Sequence, residues 1–273
     1  MPYISGSDGT QLFFKEWGTG PAVVFCHGWP LSSDAWDVEL KLFADNGFRA
    51  IAHDRRGHGR SEHTWTGNDM DAYAADLAAV IDGLGLSNVV VVGHSTGGGE
   101  ALRYAVRHGA GRVRKVVTVG AVPPVMLRSD LNPQGTPLAT FDEIRARILA
   151  DRSQYWTELA SAFYGFNRVG AHVSQGLIDH FWLQGMRAGL ASVYDCVAAF
   201  SETDFTQDLK DLDVPILIAH GDDDQIVPIH DAASKSAELV RYGTLRVYPG
   251  ASHGIYGDYQ QRLGRDLLDF IQS

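Results

Sequence analysis

The chain has 273 residues, 45% of them apolar and 21% charged, which suits one large globular domain and argues against disorder. Its 33 acidic and 23 basic side chains leave a formal charge of −10, a surface that repels phosphate backbones and anionic lipid, so neither nucleic acid nor a membrane is expected as a partner. Two cysteines, Cys26 and Cys196, cannot build a disulfide framework or a thiolate metal site and read as buried packing residues.

The first residues lack the basic start and apolar run of a signal peptide, and no stretch approaches the roughly 20 apolar residues that cross a bilayer, so a cytoplasmic protein is expected. Tyr3-Ile4 and Gln11 to Glu16 flank the turn residues Ser7-Asp8-Gly9, an antiparallel hairpin pattern. Ala22 to Cys26 reads as a strand, Asp34 to Asn46 as a helix stopped by Gly47, and Arg49 to His53 as a second strand. Asp69 opens a helix with Tyr73, Leu77, Val80 and Ile81 on its apolar face. Val89 to Val92 is a strand, followed by a helix to about His108 and the strand Lys115 to Val119. Strands alternating with helices are the signature of a parallel sheet covered on both faces.

Between residues 121 and 208 no strand is visible. Phe141 to Leu149, Ser153 to Phe163 and Leu177 to Phe200 have helical patterns, dense in aromatics, and read as a cap inserted into the single domain 1–273. The sheet resumes with Ile216 to Ala219 and Thr244 to Tyr248, and a helix from about Tyr259 closes the chain.

Residues 93 to 97 read Gly93-His94-Ser95-Thr96-Gly97 directly after the valine strand. Gly-x-Ser-x-Gly between a strand and a helix is the sequence of a sharp turn that raises a serine hydroxyl, with glycines where strand and helix touch. A serine hydroxyl is a weak nucleophile and needs a base, and the base an orienting acid. In this architecture acid and histidine follow in that order, each in a loop after a strand. The acidic loop Asp222-Asp223-Asp224 follows Ile216 to Ala219, and Ser252-His253-Gly254 follows Thr244 to Tyr248. Spacing alone does not choose among the three aspartates.

With these motifs the chain resembles an α/β-hydrolase, a mostly parallel eight-stranded sheet flanked by helices with a helical cap. Within that fold it resembles the cofactor-free haloperoxidases, or perhydrolases, and their arylesterase relatives. The resemblance runs the length of the chain through His27-Gly28-Trp29-Pro30, Asp54-Arg55-Arg56-Gly57, Gly93 to Gly99, Ala121-Val122-Pro123-Pro124, Tyr164-Gly165, Ser201 to Phe205, Gly221 to Pro228 and His253-Gly254. It implies Ser95 as nucleophile, His253 as general base and Asp224 as the acid that orients it. The expected oxyanion donors are the backbone N–H groups of Trp29 and Thr96. The implied substrate pocket includes Trp29, Pro30 and Phe163.

The activity implied is ester hydrolysis through an acyl-serine, with hydrogen peroxide as an alternative acceptor to water, giving a peracid that oxidises halide without haem or metal. The partners implied are a small ester or carboxylic acid, hydrogen peroxide and water, and assembly into a homo-oligomer is expected as in relatives. In the resembling proteins a proline at the position of Pro30 goes with perhydrolysis and leucine with plain esterase behaviour. The chain departs from many relatives in having Ser252, not proline, before the histidine.

The same triad serves lactonases, γ-lactamases and carbon–carbon bond hydrolases, and non-catalytic binding proteins also use this scaffold. Haloalkane dehalogenases and epoxide hydrolases are disfavoured, because they carry aspartate where Ser95 stands. His27, His53, His58, His63, His94, His172, His180, His220 and His230 show no metal-ligand spacing, and Gly57-His58-Gly59 is no dinucleotide fingerprint, so no cofactor is expected.

Overall fold

The computed structural model describes residues 2–130 and 132–273. β1 (Tyr3–Ser5) and β2 (Gln11–Trp17) form the opening antiparallel hairpin, and β2 also runs antiparallel to β4 (Arg49–His53). The other pairings, through β3 (Ala22–Cys26), β5 (Val89–His94), β6 (Val113–Val119), β7 (Ile216–Gly221) and β8 (Gly243–Tyr248), are parallel. The eight strands lie in the order β1-β2-β4-β3-β5-β6-β7-β8. β3 has β4 on one side and β5 on the other, so the winding reverses there and a crevice opens beyond the carboxyl ends of these strands.

A parallel sheet covered on both faces needs strands that are apolar on both sides, which is why β5 is a run of valines. Val89 and Val91 join a core layer with Leu77 and Ile81 of α2 (Met70–Gly83) and Leu102 of α3 (Thr96–Arg107). Val90 and Val92 point the other way, into a layer with Phe43 of α1 (Asp37–Asp45) and Leu267 of α9 (Asp258–Gln272). Each such valine contributes about 1.5–3 kcal/mol by full burial.

Two elements differ from the sequence pattern, and the expected gap between the first two cap helices is present. The stretch expected as one helix from Asp34 begins as a 3-10 turn, Ser33–Trp36, and turns α-helical only at Asp37. That turn is pinned from outside, because Ser33 N and Oγ both donate to Asp54 Oδ1 (2.7 and 2.6 Å). The helix expected over 177–200 is split into α5 (Gln175–Arg187) and α6 (Leu190–Ser201) by extended backbone at Ala188 and Gly189. Gly189 N donates there to Gly57 O (2.8 Å), a contact the helical period does not encode. The helices expected over 141–149 and 153–163 lie within α4 (Leu138–Phe163), broken at Asp151 (φ −160°, ψ 87°), whose carboxylate caps the second half through Gln154 N (3.0 Å). Two short helices, α7 (Thr206–Asp211) and α8 (Ala233–Leu239), had no periodic signature. Among the described residues no helix is long and apolar enough to cross a membrane.

α1 also buries a carboxyl. Glu39 is 3% exposed and accepts a hydrogen bond from Gln260 Nε2 of α9 (3.0 Å). Burial pushes its pKa up to about 7 from an ordinary 4.5, against the opposing Gln260 hydrogen bond. The folded state thus holds this proton more tightly than the unfolded chain. The stability it contributes is complete below about pH 4.5 and is lost as pH rises through about 7. Glu39→Gln, neutral throughout, is expected to match wild type near pH 4 and to be more stable by roughly 2–3 kcal/mol at pH 8. Urea unfolding at the two pH values reads the difference, and equal stabilities at pH 8 would refute it.

Candidate active site

Ser95 stands between β5 and α3 with φ 55° and ψ −121°, a positive-φ conformation that costs a non-glycine residue of order 1–3 kcal/mol. The turn is enforced by close packing. A Cβ at Gly93 would run into the carbonyl of Gly97, and one at Gly97 into the carbonyl of Cys26 on β3. The Ser95 N–H donates to Val119 O of β6 (2.9 Å), locking the elbow to the next strand.

The loop after β7 supplies Asp224 and the loop after β8 supplies His253, and the two meet. His253 Nδ1 donates to Asp224 Oδ2 at 2.6 Å, with both side chains buried. The other carboxylate oxygen, Oδ1, accepts the backbone N–H groups of Ile226 (2.9 Å) and Val227 (2.8 Å). His220 Nε2 donates to Val227 O (2.8 Å) and lies 3.2 Å from Asp224 Oδ2. Burial acts to raise the Asp224 pKa, but the charge and hydrogen bond of His253 and the contact from His220 outweigh it and hold the carboxyl well below the usual range. It is a carboxylate at any working pH. Its neighbours are spent elsewhere: Asp222 Oδ1 accepts Gly250 N (2.6 Å), and Asp223 pairs with Arg168. Geometry thus makes the choice that spacing left open. Gly120, at φ 51° beyond β6, leaves room for the pair, since a Cβ there would sit 3.3 Å from His253 Nδ1 and 3.4 Å from Asp224 Oδ2.

With Nδ1–H on the carboxylate, His253 Nε2 is the free basic nitrogen, and it is buried with no hydrogen-bond partner among the described residues. Ser95 and His253 line the same cavity, about 210 Å³, together with Trp29, Thr96 and Phe163; its remaining wall is mostly apolar and comes largely from α4 and from the loops after β6 and β7. Phe163 meets the His253 ring edge-on (4.8 Å), and Trp29 is fixed by its Nε1–H on Val193 O of α6 (3.0 Å). Pro30, expected in the pocket, is buried behind Trp29 and is not part of the wall; the Trp29–Pro30 peptide is cis.

Thr96 is the first residue of α3, so its N–H has no intrahelical acceptor and is free for a ligand. The Trp29 N–H shares a planar peptide with Gly28 O, and that carbonyl is held from two sides. Leu31 N donates to it (2.9 Å), and so does His27 Nδ1 (2.8 Å). His27 Nε2 accepts the Arg55 N–H (2.9 Å), which fixes the ring's tautomer. Arg55 reaches on to Glu100 of α3, whose second oxygen takes His53 Nε2 (2.8 Å). One buried network therefore joins the Gly28–Trp29 loop to the helix that follows Ser95. Burial and the Arg55 charge push the His27 pKa well below its ordinary value, so the ring is a neutral strut.

Cys26, His53 and Glu100 bring ligand atoms within 4.8 Å of one another. The Glu100 carboxylate is already neutralised by Arg55, which leaves a cation no free anionic ligand there. The sequence pattern did not single out His220 or Glu100, whereas His27, which precedes Gly28, reads from the sequence as a hydrogen-bonded structural residue and is one. The partners of these two side chains are Val227 and Asp224, in the loop that follows, for His220, and His53 and Arg55, far back along the chain, for Glu100.

A family model described as the alpha/beta hydrolase fold matches residues 21–258. A non-heme chloroperoxidase of Streptomyces lividans is 56% identical over the full length of both chains. A bifunctional esterase/perhydrolase of Acinetobacter calcoaceticus is 48% identical, again covering 100% of each chain. The solved structure of a bromoperoxidase from Bacillus anthracis superposes with a TM-score of 0.94 at 32% identity, covering 99% of both chains. With a serine elbow after β5 and an acid–histidine pair from the loops after β7 and β8, the chain belongs to the α/β-hydrolase family, in the branch of the non-heme haloperoxidases and esterase/perhydrolases.

Proposed function

We propose that the protein is a serine esterase that also makes peracids, with Ser95, His253 and Asp224 as its catalytic triad. The observation that carries the reading is the unpartnered His253 Nε2, buried in an apolar cavity that it shares with a strained serine. Ser95 Oγ attacks the ester carbonyl as His253 Nε2 takes its proton, and Asp224 stabilises the imidazolium. The oxyanion is met by the N–H groups of Trp29 and Thr96, donors whose individual loss typically costs about 2.7–4 kcal/mol of barrier. Collapse expels the alcohol, protonated by His253, and leaves an acyl-serine. Water then yields the acid, while hydrogen peroxide yields the peracid, each nucleophile giving its proton to His253. The peracid passes an oxygen to bromide or chloride in solution and returns to the acid, so haloperoxidation needs no redox centre.

The acyl group sits against Trp29 and Phe163, in space suited to short chains. Pro30 acts one residue back: it has no N–H, and its ring limits how the chain turns at the Trp29 carbonyl. We read that carbonyl as the acceptor for the second proton of hydrogen peroxide. Pro30→Leu is expected to lower the ratio of perhydrolysis to hydrolysis several-fold while sparing p-nitrophenyl acetate hydrolysis; an unchanged ratio would remove Pro30 from the account. Two buried free thiols, Cys26 and Cys196, accord with a reducing cytoplasm. The triad itself is tested by labelling with a fluorophosphonate, which should modify Ser95 alone.

A further inference from the structure

A second cavity, about 230 Å³, lies on the other side of the catalytic histidine. The two cavities share Phe163, and His94 and His253, whose tilted rings lie 4.8 Å apart, line one each. His94 Nε2 donates to the backbone carbonyl of His253 (3.0 Å), and burial with the nearby His253 pushes its pKa down to about 3, so it is neutral. Its neighbours in the wall include Trp36, Glu39 and Gln260.

Polar groups here are under-used. Trp36 is 5% exposed, and its Nε1–H has no hydrogen-bond partner among the described residues. A buried N–H left unpaired costs about 1–3 kcal/mol, so an acceptor brought to it is bound favourably. The Glu39 carboxyl makes one side-chain hydrogen bond, from Gln260. The ligand's charge is constrained too. Asp34 and Asp37 stand at the wall already paired, Asp34 with Lys15 (2.7 Å) and Arg60 (2.6 Å) and Asp37 with Lys15, while among the described residues no lysine or arginine lines the cavity, which His180 borders. An anion would meet carboxylates and no free positive partner. A cation would face two carboxylates whose charge is spent on Lys15 and Arg60, and a Glu39 whose ionisation burial opposes. Leu31, Leu177 and Ile255 add apolar surface for a carbon skeleton.

We propose that this cavity is a second ligand site, and that its ligand is a small neutral alcohol. The hydroxyl oxygen accepts from Trp36 Nε1, its hydrogen goes to the Glu39–Gln260 pair, and the carbon skeleton lies on the apolar wall. An alcohol is also what ester cleavage releases, so the physiological sense of the site, though not its existence, rests on the esterase reading.

The test is saturable binding of trifluoroethanol, followed by fluorine NMR relaxation on the whole protein with Ser95 phosphonylated to fill the active-site cavity. Val38 lines the second cavity and is 58% exposed, so Val38→Trp fills the space without disturbing the core. Binding is expected in the phosphonylated wild type, at least tenfold weaker in Val38→Trp, and several-fold weaker in Trp36→Phe, which deletes the donor. Binding that is absent, or unaltered by Val38→Trp, would overturn the proposal. Mass spectrometry reads Ser95 labelling separately, so a failed nucleophile assignment is told apart from an empty cavity, and the Val38→Trp difference is readable without the label.

Discussion

Ser95→Ala is expected to abolish hydrolysis of p-nitrophenyl acetate, with kcat falling about a million-fold, as it does when the nucleophile of a comparable triad is removed. The size follows from the division of labour. His253 and Asp224 have no proton to move without the Oγ, so the triad fails as a unit and only the oxyanion donors and binding survive. The hydroxyl sits at a strained φ of 55°, yet its removal leaves the elbow's packing intact, because the contacts that enforce the turn come from Gly93, Gly97 and Val119. Thermal unfolding of the variant should therefore stay near wild type. Bromination of monochlorodimedone in acetate and peroxide must disappear together with esterase activity. Bromination retained in the variant would contradict the acyl-serine route to peracid.

For Asp224→Asn the expected loss is about ten-thousand-fold in kcat at neutral pH. Asp224 Oδ2 accepts the His253 Nδ1 hydrogen at 2.6 Å, and Oδ1 is held by two backbone N–H groups. Those two donors keep the asparagine carbonyl on their side and turn its amide towards His253. The amide donates where the carboxylate accepted, so the imidazole proton moves to Nε2 and the base facing Ser95 is lost. Substrate binding should change little, because Asp224 does not line the cavity. A fall in kcat with KM nearly constant is the expected pattern. Activity within tenfold of wild type would show that another carboxylate orients the histidine. Asp223→Asn and Asp222→Asn are the matched controls, since both side chains are committed to other partners.

Much of this was legible in the sequence wherever the cause is local. The valines of β5 alternate between two core layers, and a run of apolar β-branched residues says so without any knowledge of the partners. The elbow is written in its glycines because its constraint is contact between backbones a few residues apart. The acid and histidine loops were found because the sheet delivers them in chain order. What escaped the sequence depends on groups far apart along the chain. Asp224 was separated from Asp222 and Asp223 by resemblance, whereas in the fold the three have different partners. His220 has no motif around it, yet the turn of its loop brings it beside the Asp224 carboxylate. The break between α5 and α6 is set by Gly57, more than a hundred residues away, and a helical period carries no trace of it.

Hydrolysis and perhydrolysis are, on this account, two fates of one acyl-serine, and the leaving group has departed before the acceptor is chosen. The most direct measurement is the ratio of peracid to acid formed at one fixed hydrogen peroxide concentration from acetate esters with different leaving groups, p-nitrophenyl, phenyl and ethyl. The account predicts one ratio for all three esters, although their overall rates differ. A ratio that changes with the leaving group would mean that peroxide attacks the ester before an acyl-enzyme forms, and would contradict the shared intermediate.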